Sequence, residues 1–152
     1  MIFHEYLPAV IEAFDLKMYQ SFQAKWQIQF PSEYLEVVRK HQGKIPEPNL
    51  FTYFDKDSKG ESCLSTLFHF TNHPYKDVTA YSVWENTDNL YQFTGLKLIP
   101  FSEDPGGFPI AFDFRTKSAN APIVMINMEA DSAEEAINSI AESFQHFWEN
   151  LY

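Results

Sequence analysis

The sequence predicts an α+β fold: one domain over residues 1–152, in which an antiparallel β-sheet meander carries N-terminal helices and a C-terminal helix packed on the sheet. Three features of the chain lead there. Apolar residues recur every three or four positions near the start, aromatic and β-branched runs divided by turn residues fill the middle, and helical spacing returns after residue 132.

The first apolar pattern is Leu7, Val10, Ile11 and Phe14; after Asp15 it continues through Leu16, Tyr19, Phe22 and Trp26, and both stretches are expected to be helical. Phe30 to Gly43 predicts a further helix. Pro31 and Glu33 stand at its entry, Arg39, Lys40 and His41 fill the last turn, and Gly43 lies just past the end. Leu50–Phe54 reads as a strand, with Cys63–Phe70 as its hairpin partner across a polar turn. Residues 75–94 fit helical and irregular packing equally. Leu96–Phe101 reads as a strand that stops at Pro100, because proline removes a ladder donor. Ile110–Arg115 alternates with the period of a half-buried strand, which turns Ile110, Phe112 and Phe114 inward. Pro122–Met128 supplies the next strand, so 96–128 forms the meander. In the last segment Ala133, Ala136, Ile137, Ile140, Ala141, Phe144, Phe147, Trp148 and Leu151 share one helical face, and Ser132-Ala133-Glu134-Glu135 matches a capping box, which predicts a helix from Ser132 onward.

Composition limits the function classes. A chain of 152 residues buries roughly two thirds of the surface its unfolded form exposes and needs no disulfide or structural metal. Its single cysteine, Cys63, points to a reducing compartment, and the N-terminus shows neither a secretory leader nor an apolar stretch of membrane-spanning length, so a cytoplasmic protein is expected. The formal charge of −10 is uneven: residues 1–76 hold 8 basic and 9 acidic groups, residues 77–152 only 3 basic against 12 acidic. Phosphate backbones are repelled by such a surface, so no direct nucleic-acid binding is expected, whereas a basic protein is attracted to it.

Motifs of catalysis and metal binding are weak. His69 and His73 lie four apart but lack the glutamate of a zincin and follow strand-like alternation, so they read as strand-end histidines. Asp55-Lys56-Asp57-Ser58-Lys59-Gly60 begins like a calcium loop, yet Lys59 stands where an acid ligand belongs and Thr66 where the bidentate glutamate belongs; a polar turn is the simpler reading. Cys63 reads as a small buried hydrophobe and the Glu103/Asp104 pair as part of a turn. No nucleophile elbow, phosphate loop or dinucleotide fingerprint occurs, so no catalytic residue, metal or cofactor is assigned.

Three landmarks stand in order: Phe30-Pro31-Ser32-Glu33-Tyr34 opening a helix that ends at Gly43, Leu98 to Gly107 leading into Phe112-Asp113, and Ile140 to Phe147. Over roughly residues 16–152 they resemble the SUKH superfamily, which includes the yeast cell-wall synthesis regulator and many bacterial immunity proteins. The family pattern falls on Pro31, Tyr34, Gly43, Pro100, Phe101, Gly106, Gly107, Asp113, Ser143 and Phe144, positions that read as scaffold rather than active site. His41-Gln42-Gly43-Lys44 departs from the family's usual Asn-Gly-Gly. The resemblance implies a non-catalytic protein-binding domain, a monomer or small homo-oligomer without cofactor. Its partner would be a basic toxin domain of nuclease or deaminase type, neutralised by occlusion. Its alternatives are an intracellular regulatory or scaffold module and, more remotely, a small-ligand binder or enzyme. The acidic half supplies the candidate contact residues: Glu85, Asp88, Glu103, Asp104 and Asp113, with Tyr81, Trp84 and Tyr91 as aromatic anchors or, alternatively, core residues.

Overall fold

Asp15 starts the first long helix: its carboxylate accepts the Met18 amide at 3.1 Å, and α1 runs from Leu16 to Trp26 in the computed structural model, which describes residues 1–152. α2, Ser32–His41, follows Pro31. Ahead of Asp15 the expected helix does not form. Strand β1 (Ile2–Glu5) and a single 3-10 turn at Pro8–Val10 take its place. Tertiary donors explain this, because the carbonyls of Val10 and Ala13 accept hydrogen bonds from the side chains of Gln42 and Thr71, and the amides of Tyr6 and Leu7 bond the Gly43 carbonyl.

β1 pairs antiparallel with β2 (Lys44–Glu47) in a small separate sheet. The main sheet has six antiparallel strands: β3 (Leu50–Phe54), β4 (Lys59–Cys63), β5 (Leu98–Glu103), β6 (Pro109–Asp113), β7 (Ile123–Ile126) and β8 (Ile137–Ala141), arranged in space as β4-β3-β8-β7-β6-β5. The remaining helices are α3 (Lys76–Thr79), α4 (Val83–Thr94) and α5 (Phe144–Glu149). β5, β6 and β7 are the meander that alternation predicts, and Ile110, Phe112 and Phe114 all enter the core. The fold is therefore α+β, with helices at both ends of the chain packed on the sheet.

Aromatic rings dominate the interior. Tyr34 of α2 meets Phe101 at 6.0 Å, Phe112 at 5.0 Å and Phe144 at 5.4 Å, each edge to face, so one ring ties α2 to β5, β6 and α5. Such pairs add about 0.5–1.5 kcal/mol each beyond area burial. Their cluster also takes in Tyr19 and Phe22 from α1 and Val83 from α4. A smaller cluster of Leu90, Leu98, Ala111, Val124, Ile126 and Ala136 uses the alternate residues of β5, β6 and β7, so α4 reaches from one face of the sheet to the other.

Three further expectations change, and residues 75–94, open between helical and irregular packing, resolve as helix. The predicted helix from Ser132 forms only a turn: Ser132 Oγ accepts the Glu135 amide at 3.2 Å, but Ile137–Ala141 then becomes β8 between β3 and β7, and helix resumes only at α5. Its apolar spacing suits either state, and the β-branched Ile137 and Ile140, with Asn138 and Ser139 between them, are poor helix formers beside an open strand flank. The partner of β3 is Lys59–Cys63 rather than Cys63–Phe70. Residues 64–70 instead run along the outer edge of β5, where Ser65 and Phe68 amides donate to the carbonyls of Glu103 and Phe101 at 2.8 and 2.9 Å and Ser102 Oγ donates to the Thr66 carbonyl at 2.8 Å. Residues 75–94 hold two helices, the longer one starting where Ser82 Oγ accepts the Glu85 amide. Pro100 sits inside β5 rather than ending it. An edge strand tolerates its missing N–H, and the register shifts between Pro100 and Ser102. No helix is long and apolar enough to cross a membrane.

Candidate functional site

Four of the eight candidate contact residues come together on α4. Trp84, Asp88 and Tyr91 recur at helical spacing, which lays them along one flank, and α1 packs beside it. The indole of Trp84 meets Phe22 edge to face at 5.3 Å, and Tyr91 meets Trp26 in the same way at 5.4 Å. Lys25 bridges the two helices: its Nζ lies 3.5 Å from Asp88 Oδ1 and 5.2 Å from the centre of the Trp84 ring. Glu85, exposed, lines with Asp88, Trp84 and His73 an open hollow of about 340 Å³ beside this seam. Tyr91 is exposed and Trp84 half-buried, so each serves as packing on one side and as accessible surface on the other.

The other four lie elsewhere. Tyr81, just before α4, contacts Tyr6 edge to face and shares a 3.2 Å hydroxyl contact with it; that hydrogen bond, then burial and the charge of Glu103, push its phenol up to about 12. Glu103 ends β5 half-buried, and burial followed by the neighbouring Asp104 raises its carboxyl above the usual range. Asp104 is committed to the β5–β6 turn: Oδ1 accepts the amides of Gly106 and Phe108, both at 2.9 Å, and Oδ2 accepts the Ser62 hydroxyl at 3.0 Å. Asp113 is neutralised by Arg115, whose Nε and terminal nitrogen donate to its two oxygens at 2.9 Å.

The family-motif positions occupy the framework. Pro31, Ser143 and Phe144 meet around a small hollow of about 90 Å³ where the entries of α2 and α5 approach. Ser143 Oγ accepts the His146 amide and so caps α5. Gly43 has a φ of +77° and its amide donates to the Leu67 carbonyl; a Cβ there would lie 2.7 Å from Val10 Cγ2. Gly106 and Gly107 form the tip between β5 and β6, where Gly107 has a φ of +83°. Pro100 and Phe101 are buried in β5.

The histidine, cysteine and turn-aspartate side chains are engaged individually. His69 is buried and uses both ring nitrogens, Nε2 donating to the Val78 carbonyl at 2.7 Å and Nδ1 accepting the Thr71 amide; burial lowers its pKa and keeps it neutral. His73 Nδ1 accepts the Tyr75 amide. Burial and the charge of Asp104 raise the Cys63 thiol, which disfavours the thiolate. Asp55 Oδ1 accepts the amides of Asp57 and Ser58 and the Ser58 hydroxyl, so the calcium-like run is a hydrogen-bonded hairpin turn. No group of three or more His, Cys, Asp or Glu side chains is arranged to hold a metal ion.

Sequence reasoning missed a second concavity, larger than the hollow beside α4. It is an open groove of about 740 Å³ between the β3–β4 turn and the start of β8, lined by Phe54, Asp55 to Ser58, Glu134, Glu135, Ile137, Asn138 and Ser139. Its two walls lie some 80 positions apart in the chain and meet only because Phe54 pairs with Ser139. Reading 132–151 as one helix hides this pairing; the run Ile137-Asn138-Ser139-Ile140, with its β-branched residues and short polar side chains, is the signal that exposes it.

The profile of the SMI1 / KNR4 family (SUKH-1) matches residues 14–150 of the chain. No curated protein and no solved structure matches it.

Proposed function

The chain belongs to the SMI1 / KNR4 family (SUKH-1), and from that membership and its surface we propose a non-catalytic protein-binding domain that neutralises a partner toxin by occlusion in the cytoplasm. The observation that carries the reading is the α4 flank, where Trp84 and Tyr91 stand beside Glu85 and Asp88 at the surface of an acidic chain. A toxin that degrades or edits nucleic acid holds its substrate on a basic surface. An acidic domain with aromatic anchors covers such a surface, gaining association rate from long-range attraction and residence time from the buried rings.

The test uses a toxin encoded beside this gene, of nuclease or deaminase class, mixed with the purified chain in equimolar amounts. Loss of toxin activity, weaker at high salt, supports occlusion of a basic face. Full retention of activity refutes it. Weak binding of several envelope-regulating proteins, with no effect on any toxin, would assign the chain to the regulatory branch instead.

A further inference from the structure

Lys25 places a cation on the seam between α1 and α4, and the contacts it makes there are those a partner's cation would need. Its Nζ stands 5.2 Å from the centre of the Trp84 ring, 5.6 Å from that of Trp26 and 3.5 Å from Asp88 Oδ1. An ammonium over an aromatic face and beside a carboxylate occupies a complete cation site. Its hold is weak. The ion pair is longer than the about 2.7–2.9 Å of a strong charge-assisted bond. The two side chains keep 49% and 40% of their surface in water, so solvent screens the pair and little free energy fixes Lys25 in place.

The ground beside this contact suits an incoming cation. Trp84, Glu85, Asp88 and His73 line the hollow of about 340 Å³, and neither a lysine nor an arginine does. Glu85 is exposed and its carboxylate is in no ion pair; its backbone amide alone is engaged, donating to Ser82 Oγ. Tyr91, 47% exposed and three residues beyond Asp88, carries the aromatic flank onward. The helix therefore presents two rings and two acids to a partner, and Lys25 is laid loosely across one ring and one acid. The surrounding charge has the same sense, since residues 77–152 hold 3 basic against 12 acidic groups.

We propose that Lys25 is an internal stand-in for an arginine of the protein partner: on docking, the partner's guanidinium takes the place over Trp84 and against Asp88, and Lys25 swings out to solvent. The inference rests on the protein-binding reading of the α4 flank and names the group that this flank takes. Guanidinium outcompetes ammonium here by shape. Its plane stacks on the indole while its N–H fork meets both oxygens of a carboxylate, and it gives up water at lower cost. The Lys25 ammonium reaches one oxygen of Asp88, and at long range. Breaking so exposed a pair takes little from the free energy of docking.

The experiment titrates the full-length, isotope-labelled chain with hexa-arginine and hexalysine peptides, following the Trp84 indole N–H, the Lys25 Cε–Hε resonances and the amides of α4. Hexa-arginine should move all three, and hexalysine should bind about fivefold more weakly. Lys25→Met clears the ring and the carboxylate and should tighten hexa-arginine about fivefold. Lys56→Met removes the same charge from the exposed β3–β4 turn and should change the affinity less than about twofold. Lys25 also lies in the last turn of α1, so a purely structural role predicts a lower Tm for Lys25→Met with no gain in affinity. That result, equal effects of the two lysine variants, equal binding of the two peptides or an unmoved Trp84 indole would each overturn the assignment. If the exchange fails while the chain still silences its toxin, the inference falls and the function stands. If hexa-arginine displaces Lys25 and every toxin stays active, the function falls and the arginine site stands.

Discussion

Gln42 follows the last residue of α2, and Gln42→Met measures what its side chain contributes. Gln42 is fully buried; its Nε2 donates to the Val10 carbonyl and, at 2.9 Å, to Thr71 Oγ1, and its Oε1 accepts the Phe70 amide at 3.0 Å. Methionine keeps the unbranched shape and removes all three bonds. The partners fare differently. The Val10 carbonyl retains the Ala13 amide and Thr71 Oγ1 retains the Ala13 carbonyl, but the Phe70 amide has Gln42 alone. One stranded buried donor costs about 1–3 kcal/mol and the two weakened partners about 0.5–1 kcal/mol each, so the variant should lose about 2–5 kcal/mol. For a chain of this size, at about 2–4 °C per kcal/mol, that is a fall of about 4–20 °C in Tm. Urea unfolding of both proteins gives the free energy, and hydrogen exchange at the Phe70 amide gives the site. A loss below about 1 kcal/mol with Phe70 still protected would refute the claim that Gln42 fastens residues 10–13 to the core.

Other substitutions probe other parts of the framework. Gly43→Ala places a Cβ 2.7 Å from Val10 Cγ2 and 2.9 Å from the Leu7 carbonyl at a φ of +77°, and should cost about 2–4 kcal/mol, whereas Gly107→Ala, at +83° with nothing within 4 Å, should cost only about 1 kcal/mol; equal losses in denaturant melts would contradict this. Tyr34→Phe removes a buried hydroxyl that has no partner and should leave stability unchanged or raise it by about 1 kcal/mol, so a clear drop in the urea midpoint would show that the hydroxyl is satisfied. Glu103 has its carboxyl raised by burial and Asp104, so the folded state holds that proton more tightly than the unfolded chain. The stability tied to it is complete below the ordinary glutamate range and is lost as pH rises through the raised value. Glu103→Gln should therefore be more stable than the parent near pH 7 and lose that advantage near pH 4, as thermal melts at the two values would show.

Much of the framework is local and was readable residue by residue. Pro31, the basic last turn and Gly43 mark α2 to within two residues, and the alternation of Ile110, Phe112 and Phe114 gives both the strand and its buried face. Ser82 and Ser143 carry cap signals of the same kind, but no clear apolar period follows Ser82, and Ser143 stands inside a period that already runs from Ala133 to Leu151. The site was less accessible. Trp84, Glu85, Asp88 and Tyr91 are close in sequence and stay close in space, but Asp104 and Asp113 look like the α4 acids in sequence, and only their hydrogen bonds to Gly106, Phe108, Ser62 and Arg115 show that their charge is engaged, as the Lys25 contact at 3.5 Å shows for Asp88.

From its own residues the chain determined its class, its acidic surplus, and those strands and helices whose period and caps admit one reading, because these depend on neighbours within a few positions. Tertiary structure alone decided the fate of Leu7–Phe14 and of Ile137–Ala141, whose apolar spacing satisfies more than one backbone state. Gln42 and Thr71 draw the first out of a helix by claiming its carbonyls, and the open flanks of β3 and β7 draw the second into the sheet. The acidic groove follows from that second choice, since Asp55 and Glu134 become neighbours only when a hydrogen-bonded strand pair, more favourable than one more turn of helix, closes the distance between them.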